Sequence, residues 1–319
     1  MWILFNSFHI LFIICIIICI LLFFFFPLLI LFVLSLFGSS YIKKKWILPF
    51  LENKKKNYLE WTQKHYPIDI HYEIPKEKYP KQCIYIYVPH GIICFYLQLL
   101  FIGDHFPTDI LILEENKENY KNLEKKEKEI ILEKSENLQK RSNKTYMMTH
   151  SLLYFFLHHF PFIKTFFQSY PISDCSKKSC QILLDQGHSI ALVPGGSRDT
   201  LYTSLDYKEI KFSILKKFGY LKLAKQFNIP IVPIFSPVED TCIEKYGTMP
   251  WEDYLTKNLN IGIPLIKNFL PKKHKNQNVP IYFGKPIYHL NENVEDFQKR
   301  IFNEIEYLVQ KNNSTCKFV

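Results

Sequence analysis

The chain has 319 residues and a formal charge of +10, from 40 Lys and Arg against 30 Asp and Glu. That length allows one or two domains, and a hydrophobic share of 48% excludes a wholly disordered chain. With 10 Gly and 18 Pro, collagen-like and linker-like classes are excluded as well.

The charge is unevenly spread. Residues 1–38 contain no Asp, Glu, Lys or Arg, so the remainder carries all of it at about a quarter of its positions, the usual share for a soluble domain. The pattern is one apolar leader, residues 1–42, and one water-compatible body, residues 43–319. A second uninterrupted apolar run of about 18 residues is missing, which argues against a polytopic transporter.

Ile10 to Leu34 is apolar apart from the weakly polar Cys15 and Cys19. As a helix it would be about 38 Å long, enough to cross a hydrocarbon core of about 30 Å with tilt. A shallow hairpin with Pro27 at its apex is the alternative. Lys43–Lys45 and Lys54–Lys56 follow, and the positive-inside bias puts the body on the cytosolic side. A cleaved signal peptide would need a basic start and a shorter apolar region. The 8 Cys form no C-x-x-C pair, which fits buried, reduced thiols and no metal site.

Residues 43–82 are rich in Lys and Pro, with Trp46, Phe50, Tyr58 and Trp61 suited to a headgroup region. The run from Cys83 to Val88 predicts a strand ended by Pro89, followed by an apolar helix and by a second strand at Asp109 to Leu113. Residues 114–144 interleave charges of both signs and form a charged insertion, a solvated helix or disordered stretch. Ser151 to Tyr170 is aromatic and broken by Pro161, fit for a core or for the surface of a bilayer.

A helix capped by Asp174 and stopped by Gly187 then leads into a strand from Ser189 to Val193. Ser213 to Asn228 is helical, with Ile214, Phe218, Leu221, Ala224 and Phe227 on one stripe. The next strand, Ile229 to Phe235, holds two prolines, which suggests an edge or a bulge. Pro280 to Ile287 forms a last strand and turn. Asn293 then caps a closing helix with Val294, Phe297, Ile301, Ile305 and Leu308 inward. Alternating strands and helices predict an α/β body on a mixed or mainly parallel sheet, where sites gather beyond the carboxyl ends of strands.

Two segments occupy that position. In the first, Pro89 restricts Val88 to extended backbone, Gly91 lets a substrate approach the chain closely, and His90 between them can serve as a general base near neutral pH. In the second, Gly195 and Gly196 can turn N–H groups toward an anion, beside Ser197, Arg198 and Asp199. Neither nucleotide-phosphate loop pattern occurs. The run from Gly187 to Ala191 nearly matches a hydrolase elbow around Ser189, but its helix and strand come in the wrong order.

Taken in order, "YVPHG" (87–91), "IALVPGGSRDTL" (190–201), "KKFGYLKLAKQFNIPIVPIFS" (216–236) and "FGKPI" (283–287) resemble the type 2 diacylglycerol acyltransferase family, which includes monoacylglycerol and wax-alcohol acyltransferases. The resemblance covers roughly residues 80–310. It implies a glycerolipid-acyltransferase-like mixed sheet flanked by helices, with an N-terminal membrane-anchoring helix or hairpin, on the endoplasmic reticulum or a lipid droplet. It further implies acyl-CoA as co-substrate, a neutral glycerolipid hydroxyl as acceptor, membrane lipid as a partner, and neither metal, cofactor nor nucleic acid.

His90 matches the second His of the family's H-P-H-G, and Asp199 stands where the family usually has Glu. On this reading His90 and Asp199 are catalytic. Pro89, Gly91, Gly195, Gly196 and Ser197 line the substrate, while Arg198, Lys216 and Lys217 meet the CoA phosphates. The chain departs from the family at Val88, which replaces the first His, and at Lys164 and Thr165, where a basic-acidic pair is half present. Phe95 stands where an H-x-x-x-x-D motif would need Asp.

Overall fold

The computed structural model describes residues 57, 60–92, 94–103, 105–107, 144–150, 154, 171–199, 209–212, 214, 217–246, 249–259, 264–267, 278–312 and 315–318. The chain divides into two units, and every described residue belongs to the one formed by 57–154 and 170–319. The leader at 1–42, the strand expected at 109–113, the insertion at 114–143, the aromatic stretch apart from Tyr154, and Lys216 lie outside the described residues. Among the described residues no helix is long and apolar enough to cross a membrane.

In chain order the elements are β1 (Ile68–Tyr72), β2 (Ile84–Val88), α1 (Phe95–Ile102), β3 (Thr145–Thr149), β4 (Ile172–Asp174), α2 (Lys177–Asp185), β5 (Ser189–Leu192), β6 (Glu209–Phe212), α3 (Gly219–Phe227), β7 (Ile231–Phe235), α4 (Glu239–Cys242), α5 (Pro250–Leu259), β8 (Val279–Phe283), α6 (Val294–Gln310) and β9 (Thr315–Phe318). Seven strands form one sheet in the order β1-β8-β7-β2-β5-β3-β4, and β6 pairs with β9 in a second. From β7 to β4 all pairings are parallel. The β7–β8 pairing is antiparallel, so the sheet is mixed, as expected.

The core lies on both faces. β2 is buried at all its positions, as a central strand covered by helices must be. Ile84, Ile86 and Val88 pack with α2, α3 and α6. The alternate residues Tyr85 and Tyr87 pack with α1 and with Phe106 and Phe283 on the other face. α1 is apolar on nearly every side and accordingly buried. α6 shows the expected stripe, and Asn293 Oδ1 accepts from the Asp296 N–H at 2.7 Å. Cys83, Cys94, Cys175, Cys180 and Cys242 are free thiols, all but Cys175 buried.

Three expectations need correction. The cap of α2 is Ser176, whose side chain accepts from the Ser179 N–H; Asp174 ends β4 and takes the Ser179 hydroxyl instead. α3 begins at Gly219 rather than Ser213, although Ile214 is still buried with its stripe. The strand with two prolines is no edge: β7 lies between β8 and β2. Pro233 is tolerated because its ring nitrogen faces the end of the short β8 ladder, where only Ile234 and Phe235 are in register; its carbonyl still accepts from the Gly284 N–H.

Candidate active site

β5, β2 and β7 are adjacent and parallel, so three chain segments leave the sheet side by side at their carboxyl ends. Ile86 is in register with Leu192, and Val88 with Phe235. The segments are Pro89–Gly91, Val193–Asp199 and Ser236–Asp240. The sequence pointed to the first two; the third joins them.

After a cis Val88–Pro89 peptide, His90 Nδ1 lies 2.7 Å from the Gly91 carbonyl. A carbonyl only accepts, so Nδ1 carries the proton and Nε2 keeps its lone pair. Burial holds the imidazole pKa below 6.5, against the upward pull of the Gly91 carbonyl. The ring is therefore neutral at physiological pH and partly open to solvent. Gly91 adopts φ +59, and a Cβ there would meet the Glu239 carbonyl at 2.6 Å. Both facts require glycine.

Gly195 precedes a 3-10 turn, Gly196–Arg198, and Asp199 follows it. The Asp199 carboxyl packs directly over Gly195, leaving no room for a side chain there. Asp199 is buried at 2% exposure. Its carboxylate acts on Asp240 and Cys94, raising the pKa of both, and the His90 ring bonds to Gly91. Of the two N–H groups expected to face an anion, that of Gly196 donates to the Val193 carbonyl, which leaves that of Gly195 as the candidate donor; the Gly91 N–H donates to Asp240. Arg198 Nε has no partner among the described residues. Lys217 precedes α3, and its carbonyl accepts from Gln298 Nε2.

Sequence reasoning missed Glu239 and Asp240. Glu239 is fully buried. Its Oε2 accepts from the Tyr87 hydroxyl and, at 3.1 Å, from the Tyr96 N–H; the carboxyl also takes the Phe95 N–H. Phe95 and Tyr96 open α1, whose own N-cap, Cys94, supplies no side-chain bond. Glu239 thus caps α1 from another element, where helix N–H groups favour a carboxylate. Burial still outweighs these bonds and raises its pKa from 4.5 to about 7. Burial, then Asp199 and Glu239, push Asp240 well above the carboxylate range, against the Gly91 N–H. Two adjacent acids, four and five positions after the strand that ends at Phe235, were the available signal.

A neutral imidazole, a glycine N–H and an Arg nitrogen unpartnered among the described residues, all at the carboxyl ends of the central strands, can move a proton and receive an anionic ligand. The family model described as "Diacylglycerol acyltransferase" matches residues 134–257. That stretch includes Gly195–Asp199 and Glu239–Asp240 but not His90. The chain is 36% identical over 78 residues to a diacylglycerol O-acyltransferase 2 of Dictyostelium discoideum, covering 24% of this chain and 23% of that protein. It is 26% identical over 144 residues to a diacylglycerol O-acyltransferase 2B of Umbelopsis ramanniana, covering 40% of each. The matched regions thus span less than half the length of these relatives. The PlsC 1-acyl-sn-glycerophosphate acyltransferase of Thermotoga maritima superposes with a TM-score of 0.40 at 14% identity, over 90% of this chain and 88% of that one. Over residues 134–257 the chain is thus similar to the diacylglycerol acyltransferase family.

Proposed function

We propose that this protein is an acyl-CoA-dependent O-acyltransferase that moves a fatty acyl group to the free hydroxyl of diacylglycerol, making triacylglycerol. The observation that carries the reading is His90, neutral and with Nε2 able to accept a proton, at the end of the strand adjacent to the one that leads into the glycine turn, which lies in the region similar to diacylglycerol acyltransferases.

In this reading Nε2 takes the hydroxyl proton as the oxygen attacks the thioester carbonyl, a role worth about 10²–10⁴-fold. The tetrahedral oxyanion forms near the Gly195 N–H. As it collapses, the C–S bond breaks, and the imidazolium returns its proton to the departing CoA thiolate. Arg198, Lys216 and Lys217 hold the CoA phosphates, the chemistry to which a guanidinium and ammonium groups are suited. The leader at 1–42 anchors the chain in the endoplasmic reticulum membrane with the body facing the cytosol. The apolar run at Ile10–Leu34 and the lysines after it support this placement.

The test is acyl transfer from radiolabelled acyl-CoA in microsomes of cells lacking neutral-lipid synthesis, with chromatography of the lipid product. Labelled triacylglycerol is expected from the native chain and none above background from His90→Ala. A labelled wax ester, or a product of monoacylglycerol, would change the acceptor. Full transfer by His90→Ala would reject the assignment.

A further inference from the structure

His90 sits on a turn supported mainly by a distant part of the chain. Gly91 Cα lies against the Glu239 carbonyl, the Gly91 N–H donates to Asp240, and the His90 carbonyl accepts from Cys94 Sγ at 3.1 Å. The segment before the turn is tied through the Tyr87 hydroxyl, and the one after it through the Phe95 and Tyr96 N–H groups, to the single carboxyl of Glu239. One buried side chain therefore bridges both flanks of the histidine turn. Its remaining oxygen is 3.8 Å from Cys242 Sγ.

We infer that Glu239 is a positioning residue for His90, fixing the imidazole at the sheet edge by clamping β2 to the first turn of α1. It touches neither the imidazole nor, on the proposed mechanism, the substrate. Its effect passes through the backbone of residues 87–96. Asp240 assists by holding Gly91, and its neighbour Asp199 connects the clamp to the glycine turn. This inference concerns how the proposed base is placed, so it rests on the proposed function only for its kinetic consequence.

Two measurements on the full-length protein in microsomes test it. The first is the rate at which diethyl pyrocarbonate modifies His90, followed by mass spectrometry, which requires no enzymatic activity. Glu239→Leu keeps the side chain's bulk but accepts no hydrogen bond; the rate at His90 should change several-fold. Glu239→Gln keeps an acceptor oxygen for the Tyr87 hydroxyl and the Tyr96 N–H and should restore most of the native rate. Tyr87→Phe, which removes one hydroxyl and leaves the ring, should shift it in the same sense by less. It serves as the milder variant should Glu239→Leu fail to fold.

The second measurement is acyl transfer. Glu239→Leu should lower kcat about 10–100-fold, the scale of a misplaced catalytic group. KM for acyl-CoA should stay within about threefold, because uniform binding is untouched. Glu239→Gln should recover most of the kcat. An unchanged His90 modification rate in Glu239→Leu and Tyr87→Phe would overturn the inference, as would a Glu239→Gln protein no better than Glu239→Leu. A changed modification rate in a chain whose native form transfers no acyl group would uphold the clamp and overturn the enzymatic reading alone.

Discussion

The two ends of the central strands differ in how they treat buried polar groups. At the amino ends Gln82, Ser189 and His188 bond to backbone partners. Gln82 Nε2 donates to the Leu184 and His188 carbonyls, the Cys83 N–H donates to Ser189 Oγ at 3.1 Å, and the Lys144 N–H donates to His188 Nδ1. At the carboxyl ends, Glu239, Asp240 and Asp199 are gathered with raised carboxyl pKa values at the first two, next to a histidine held neutral. Satisfied groups stabilise a fold; buried ionisable groups that disfavour their own charge cost stability and mark sites of chemistry. On the proposed function, one end carries structure and the other chemistry.

The sharpest way to break that assignment is His90→Ala, expected to lower acyl transfer about 10²–10⁴-fold with the fold intact. Retained transfer into neutral lipid would leave the carboxyl end without its chemistry. The next effect is a pH dependence. Because the Glu239 pKa is raised from 4.5 to about 7 in the fold, its contribution to stability is intact below 4.5 and lost as pH rises through 7. The sum is about 3 kcal/mol. Relative to Glu239→Gln, which does not titrate, the native chain's unfolding free energy in detergent should fall by about that amount over this range. A flat difference would mean that Glu239 ionises alike in folded and unfolded chains.

Gly91→Ala should cost about 1–3 kcal/mol, since the turn requires φ +59 and offers no space for a Cβ. An alanine protein that unfolds at the native midpoint would contradict the packing against Glu239. The smallest effect belongs to the opposite end. Ser189→Ala loses one hydrogen bond to Cys83 and should cost about 1 kcal/mol with acyl transfer unchanged. Labelling of Ser189 by a fluorophosphonate, or loss of transfer in Ser189→Ala, would move the chemistry to the wrong end.

The site was partly legible in the sequence because proline and glycine punctuate it. Pro89 and Gly91 frame His90, and two glycines follow β5, so local rules located both turns. Their meeting follows from strand alternation. Glu239 was not legible for the reason that makes it matter: its partners, Tyr96 and Tyr87, are 143 and 152 positions away. Only placing β7 beside β2 reveals the clamp, and the two prolines argued for an edge instead. β1 alternates Ile68, Ile70 and Tyr72 as a strand should, but lay unnoticed among lysines and prolines. β3, with Met147 and Met148 adjacent, carries no such alternation.

The distant cap on α1 has a consequence for biosynthesis. A ribosome delivers Phe95 and Tyr96 long before Glu239, and at about 5–20 residues per second the interval is about 7–30 s. During that time the start of an almost wholly apolar helix has no acceptor from its own neighbourhood. The histidine turn becomes complete only when the nascent chain has grown past β7, so a shortened translation product ending before that strand would lack a finished catalytic edge.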